Sequence, residues 1–168
     1  CIFAADYMKF EFALVDAFAE KPLTGNPCAV VMGADLLDGQ TMLAIAKEMN
    51  QSETAFLMKS QSADLRARYF TPEREIPLAG HPTIASIHAA LECGILPKKM
   101  GKTSIRLELN EGPIIVEAEM TEHATLIRMF QRKPIFGDIH NADEVMPLFG
   151  LTTQDLKPSC KIQTVSTG

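Results

Sequence analysis

Ile84, Ile87, His88 and Leu91 are spaced i, i+3, i+4 and i+7, a stripe apolar but for the histidine, with Ala85, Ala89 and Ala90 filling the flanks. This spacing predicts a helix that is apolar nearly all round, with Pro82 in its first turn and Gly94 as its stop. Such a helix must be wrapped by other elements, which points to a sheet curving about it. Cys93 is read as the helix's last small hydrophobe.

Elsewhere the period is two. Phe10, Phe12 and Leu14 alternate with Glu11 and Ala13, predicting a first strand whose buried face carries the large residues. Cys28 to Met32 reads as a strand apolar on both faces. Met42, Ile45, Ala46 and Met49 form a helix stripe capped by Asp38 and ending near Asn50. Residues 53–58 and 65–69 make one hairpin, and residues 105–109 and 114–120 make a second across Asn110-Glu111-Gly112-Pro113. Thr125 to Phe130 adds another strand. Pro134, Phe136 and Gly137 read as connection, followed by short helical patterns at 142–149 and 152–156 and a new strand from Gln163 to Gly168. Many strands with two interposed helices define an α+β fold, a mostly antiparallel curled sheet around a central apolar helix.

Three segments are expected: an extension at 1–7 of upstream or vector origin, a lobe at 8–130, and at 131–168 a connecting segment that begins a second lobe. At 168 residues, a hydrophobic fraction of 46% and a net charge of -5, the chain lacks the basic field that nucleic acid requires. No segment reaches membrane-spanning length, and residues 1–7 lack the basic start and apolar run of a signal peptide. Cys1, Cys28, Cys93 and Cys160 are scattered without a CxxC pair, which fits a reducing cytoplasm.

Candidate chemistry centres on two places. Glu53 stands where a helix hands over to an apolar strand, so partial desolvation there would raise its proton affinity toward that of a carbon-proton base. The alternative is a strand-end carboxylate that pairs with Arg66 or Arg68 or faces solvent. His81 precedes Pro82 and is placed outside the helix, its ring beside the free N–H groups of the first turn. Those amides suit the negative charge of an enolate-like intermediate, and the imidazole suits return of the proton; a histidine that merely caps a loop fits the same pattern. His88, on the apolar stripe, is read as a hydrogen-bonded core residue. Asn26, in the Gly25-Asn26-Pro27 turn, can present its amide to substrate. Cys28 is read as an inert strand thiol, with a thiol-based racemase as the alternative. Neither metal-ligand spacing nor a nucleotide-binding glycine motif occurs, so neither a metal nor a nucleotide cofactor is expected.

Together Val15-Asp16-Ala17-Phe18, residues 22–27, Met49 to Phe56, Tyr69-Phe70-Thr71-Pro72 and Gly80-His81-Pro82-Thr83 resemble the PhzF family of phenazine-biosynthesis-like isomerases from Met8 onward. The resemblance implies a diaminopimelate epimerase-like fold of two similar lobes with the active site between them. It implies that Glu53 moves a proton between carbons of a small carboxylic acid, that His81 assists, and that the loop of Gly80, His81 and Thr83 binds substrate through its backbone. The second lobe, which supplies a further acidic residue, begins only at Ser166-Thr167-Gly168, so a homodimer or a complementary second-lobe fragment is the expected partner. The other function consistent with this ancestry is a non-catalytic domain acting by association.

Overall fold

Alternation of side chains across strands lets one sheet pack a helix on each of its faces. The computed structural model describes residues 9–131 and 133–166, and the chain divides into two units after Phe130. In the first unit the strands are β1 (Glu11–Ala17), β2 (Asn26–Met32), β3 (Thr54–Met58), β4 (Leu65–Phe70), β5 (Glu75–Ile76), β6 (Gly101–Leu109), β7 (Gly112–Met120) and β8 (Thr125–Met129). Their order is β1-β2-β3-β4-β6-β7-β8 with β5 beside β4. The β2–β3 and β4–β6 joins are parallel and the others antiparallel.

Helix α1 (Gly39–Met49) begins where the Asp38 side chain accepts the Thr41 N–H at 2.7 Å, and ends at Asn50 in the left-handed region. It covers one face of the sheet with Val31, Phe56 and Phe70. Helix α2 (Gly80–Glu92) covers the other with Cys28, Val30, Ala55, Leu57, Tyr69, Ile105, Leu107 and Val116. Because α2 touches both β1 and β8, the two outer strands, the sheet curls around it. The fold is α+β, as the residue pattern implies.

Four local expectations are corrected. In β1 the small residues Ala13 and Val15 pack toward the core, leaving Phe12 and Leu14 outside at 53% and 54% exposure. Each row carries one carboxylate, Glu11 or Asp16, and the row of small side chains is the one that lies against α2. Cys93 is the exposed C-cap of α2, turned off the core as Gly94 reverses the chain at φ +72°. Ile84 and His88 are half-buried rather than enclosed, since the line through them and Glu92 faces the opening between β1 and β8. The short strand β5 was unforeseen.

That strand has a clear role. Arg68 donates from Nε and Nη2 to Glu75 at 2.7 Å each, and Asn110 donates to the same carboxylate at 2.6 Å, joining β4, β5 and the β6–β7 turn. The Arg68 hydrogen bonds, then that of Asn110, hold Glu75 below the usual carboxylate range against the opposing effect of burial. A depressed folded-state pKa stabilises above the unfolded value of about 4.3 and is lost as pH falls through the folded one. The urea midpoint should therefore fall more steeply below about pH 4 in the parent than in Glu75→Gln; parallel pH profiles would contradict this.

In the second unit β9 (Ile135–His140) pairs antiparallel with β10 (Ile162–Ser166), with a bulge between Gln163 and Val165. Between them lie α3 (Ala142–Val145) and 3-10 turns at Met146–Phe149 and Thr153–Asp155. The helical patterns fall where expected, whereas β9 replaces the expected connection. Pro134 and Gly137 disguise it, and its partner lies over twenty residues away. The proposed 1–7 extension, Cys1, and Thr167-Gly168 of the last strand lie outside the described residues. Among the described residues, no helix is long and apolar enough to cross a membrane.

Candidate active site

After α1 the chain turns through Asn50-Gln51-Ser52 and enters β3 at Thr54, which lies opposite Ala29 in parallel register. Glu53 is thereby brought beside Cys28. Extended backbone places it on the same face as Ala55 and Leu57, the face that packs α2.

Helix α2 starts from Ala79, whose extended backbone forms an N-cap without a side-chain hydrogen bond. The first-turn N–H groups of Gly80 and His81 have no intrahelical acceptor, and Pro82 brings none. His81 lies inside the helix, correcting its expected position outside. Proline at the third helical position has no preceding turn to clash with, so the bias against a helical residue before it is overridden.

These two elements bring His81 Nε2 to 3.3 Å from Glu53 Oε2, with side-chain exposures of 10% and 22%. Neither atom has a hydrogen-bond partner. Buried polar atoms are nearly always paired, so two that face each other unpaired beside two free amides form a site that a polar ligand would complete. The Arg66 and Arg68 pairings expected as the alternative for Glu53 go instead to Glu108 at 3.3 Å and Glu75 at 2.7 Å.

Thr83 is fully buried, its hydroxyl donating to Ala79 O at 2.7 Å and lying 3.0 Å from the Tyr69 hydroxyl. It supports the helix start from inside, and its side chain is not available to a ligand. Asn26 opens β2 opposite Ala17, exposed, on the same strand face as Cys28. The preceding Gly25 is required by space: a Cβ there would run into the carbonyl oxygen of Ala17 and the Cβ of Ala19. The structure thus brings Glu53, His81, Gly80 and Cys28 together. Tyr69, which the sequence marks as a strand residue and not as part of the site, joins them from β4.

Cys28 is fully buried. Burial pushes its thiol up to about 12; a backbone hydrogen bond at Ala55 opposes this, and the nearby Glu53 carboxylate adds to it. A neutral thiol is a poor nucleophile, which removes the basis for a thiol-based racemase. Iodoacetamide should label the exposed Cys93 and Cys160 of the folded protein and spare Cys28 until denaturant is added, as read by peptide mass spectrometry. Labelling of Cys28 at the same rate would contradict its burial.

A curled α+β lobe with a carboxylate and an imidazole facing each other at a buried helix start is a frame suited to acid–base chemistry. The chain belongs to the PhzC-PhzF family of phenazine biosynthesis-like proteins, whose model matches residues 15–168. It is 36% identical over 165 residues to the uncharacterized isomerase YddE of Salmonella typhimurium, covering 96% of this chain and 54% of that protein. Trans-2,3-dihydro-3-hydroxyanthranilate isomerase of Pseudomonas aeruginosa is 38% identical over 113 residues, covering 62% of this chain and 40% of that one. The crystal structure of a PhzF-family phenazine biosynthesis protein from Bacillus anthracis superposes with a TM-score of 0.83 at 37% identity, over 96% of this chain and 54% of that one. The fold is therefore the diaminopimelate epimerase-like one. The chain spans about half the length of the curated relatives it matches.

Proposed function

We propose that this chain carries the proton-transferring half of a PhzF-type isomerase acting on a small carboxylic acid. Glu53 removes a proton from a carbon next to a carboxylate or conjugated system, and His81 orients the acid or returns the proton. The free amides of Gly80 and His81 take up the negative charge that develops, aided by the positive end of the α2 dipole. Asn26 lies on the strand face that lines the same side and is a further substrate contact. The chemistry needs neither metal nor organic cofactor, because the charge that forms is met by backbone amides and a helix end. The other half of the family's length supplies the opposing wall of the cleft, from the same polypeptide or from a partner.

One observation carries the reading: the Glu53 and His81 side-chain atoms lie 3.3 Å apart, buried and without hydrogen-bond partners. A carboxylate held only for structure would have its hydrogen bonds satisfied, as Glu75 does. The test is wash-in of solvent deuterium at carbon, followed by mass spectrometry, with the substrate of the Pseudomonas relative, trans-2,3-dihydro-3-hydroxyanthranilate, as first probe. Wash-in requires only removal and return of a proton at one carbon, so it reads Glu53 without demanding a full isomerisation. Incorporation above the buffer rate is expected. Its absence from this acid and from related unsaturated or amino-substituted acids would overturn the reading for this chain.

A further inference from the structure

The buried hydroxyls behind the site form a chain with a fixed direction. Thr83 has one hydroxyl proton, and the carbonyl oxygen of Ala79, 2.7 Å away, can only accept. With the proton of Thr83 given to Ala79, Tyr69 closes the 3.0 Å contact as donor, and the Ser86 hydroxyl, the phenol's other partner, then donates to the phenol oxygen. The order Tyr69 to Thr83 to Ala79 follows from counting protons.

Its two ends lie on different elements. Tyr69 is fully enclosed on β4, where it pairs with Ala55 of β3, two residues from Glu53 and on the same face. Ala79 is the N-cap of α2, directly before Gly80 and His81, and it has no side-chain cap to hold it. The hydroxyl chain thus joins the sheet that carries the carboxylate to the helix start that carries the imidazole and the free amides. Burial pushes the Tyr69 phenol upward, so it stays protonated as donor.

We infer that the Tyr69 hydroxyl is a positioning group: through Thr83 it locks the N-cap of α2 to the β3–β4 sheet and so sets the reach between Glu53 and His81. The inference rests on the functional reading above as to what the pair does, but the lock can be measured without substrate. Tyr69→Phe removes only the donor and keeps the ring in the core. Backbone ¹⁵N order parameters of Gly80 and His81, near about 0.85 for rigid backbone, are expected to fall toward about 0.6, with Ala55 and Leu57 unchanged. Thr83→Val should do the same, Thr83→Ser should restore parent values, and Tyr69→Phe with Thr83→Val together should go no further than Thr83→Val alone. The Thr83 pair reads the chain from its helix side, so a poorly folding Tyr69→Phe leaves the outcome decidable.

Order parameters at Gly80 and His81 that stay at parent values in folded Tyr69→Phe and Thr83→Val would overturn the inference, whatever happens to the melting temperature. With an acid that the parent turns over, kcat in Tyr69→Phe should fall about 10-fold to about 100-fold with KM within about twofold, since misplacement of reacting groups lowers rate more than binding. A parent that turns over none of the acids, combined with the expected loosening of Gly80 and His81, would sink the functional reading and leave the lock standing.

Discussion

Glu53→Gln is expected to cut deuterium incorporation into the probe acid by at least about 100-fold, the range in which a positioned general base contributes. The amide has the shape of the carboxylate but not its basicity, so substrate still enters and its proton stays in place. The fold should hardly notice. Glu53 Oε2 makes no hydrogen bond that the substitution would break, and a change of under about 0.5 kcal/mol moves the melting temperature by about 1–2 °C in a chain of this size. A variant that melts with the parent and exchanges at more than a tenth of its rate would remove Glu53 from the reaction and leave the His81 contact as an ordinary ion pair.

The sequence carried the architecture further than the site. The α2 pattern and the two hairpins are statements about which side of a strand or helix meets water, and one chain suffices to make them. Helix α1 was legible close to both its ends, because Asp38 and Asn50 mark them chemically. Where each row of a strand mixes apolar residues with one carboxylate, as in β1, the pattern has little contrast and the choice falls to the distance of a helix that only the assembled fold defines. The pair Glu53 and His81 lies twenty-eight positions apart in the chain; each residue was visible as a local oddity, and their juxtaposition comes from the parallel β2–β3 join and the N-cap of α2. Thr83 entered the candidate site through the resemblance of its loop to the family's, as one of the residues whose backbone binds substrate, and that resemblance says nothing of where its hydroxyl goes. Here the phenol of Tyr69 meets it from within, a contact between β4 and α2 that leaves no periodic trace. The strand β9 was hidden for the same reason, since its ladder is with β10 across a long connection.

Stability and activity should separate on the two faces of the sheet. Phe56 is fully buried on the α1 side, packed edge-on against Phe70 at 5.4 Å between ring centroids, in a cluster with Val31, Met42 and Ala46. Phe56→Ala removes that ring and leaves a cavity under α1, at an expected cost of about 3–5 kcal/mol. Against a total of about 5–15 kcal/mol this is a large share, visible as a strongly lowered urea midpoint. Arg128→Ala, which removes a half-exposed pairing to Glu119 at 2.8 Å, should leave the midpoint within error and serves as the surface control. The α1 face carries neither Glu53 nor the start of α2, so the folded fraction of Phe56→Ala should incorporate deuterium at the parent rate per molecule, the reverse of what Glu53→Gln does. Loss of exchange in parallel with loss of stability would mean that the α1 face helps shape the acid–imidazole pair, and that the two layers of this lobe are not independent.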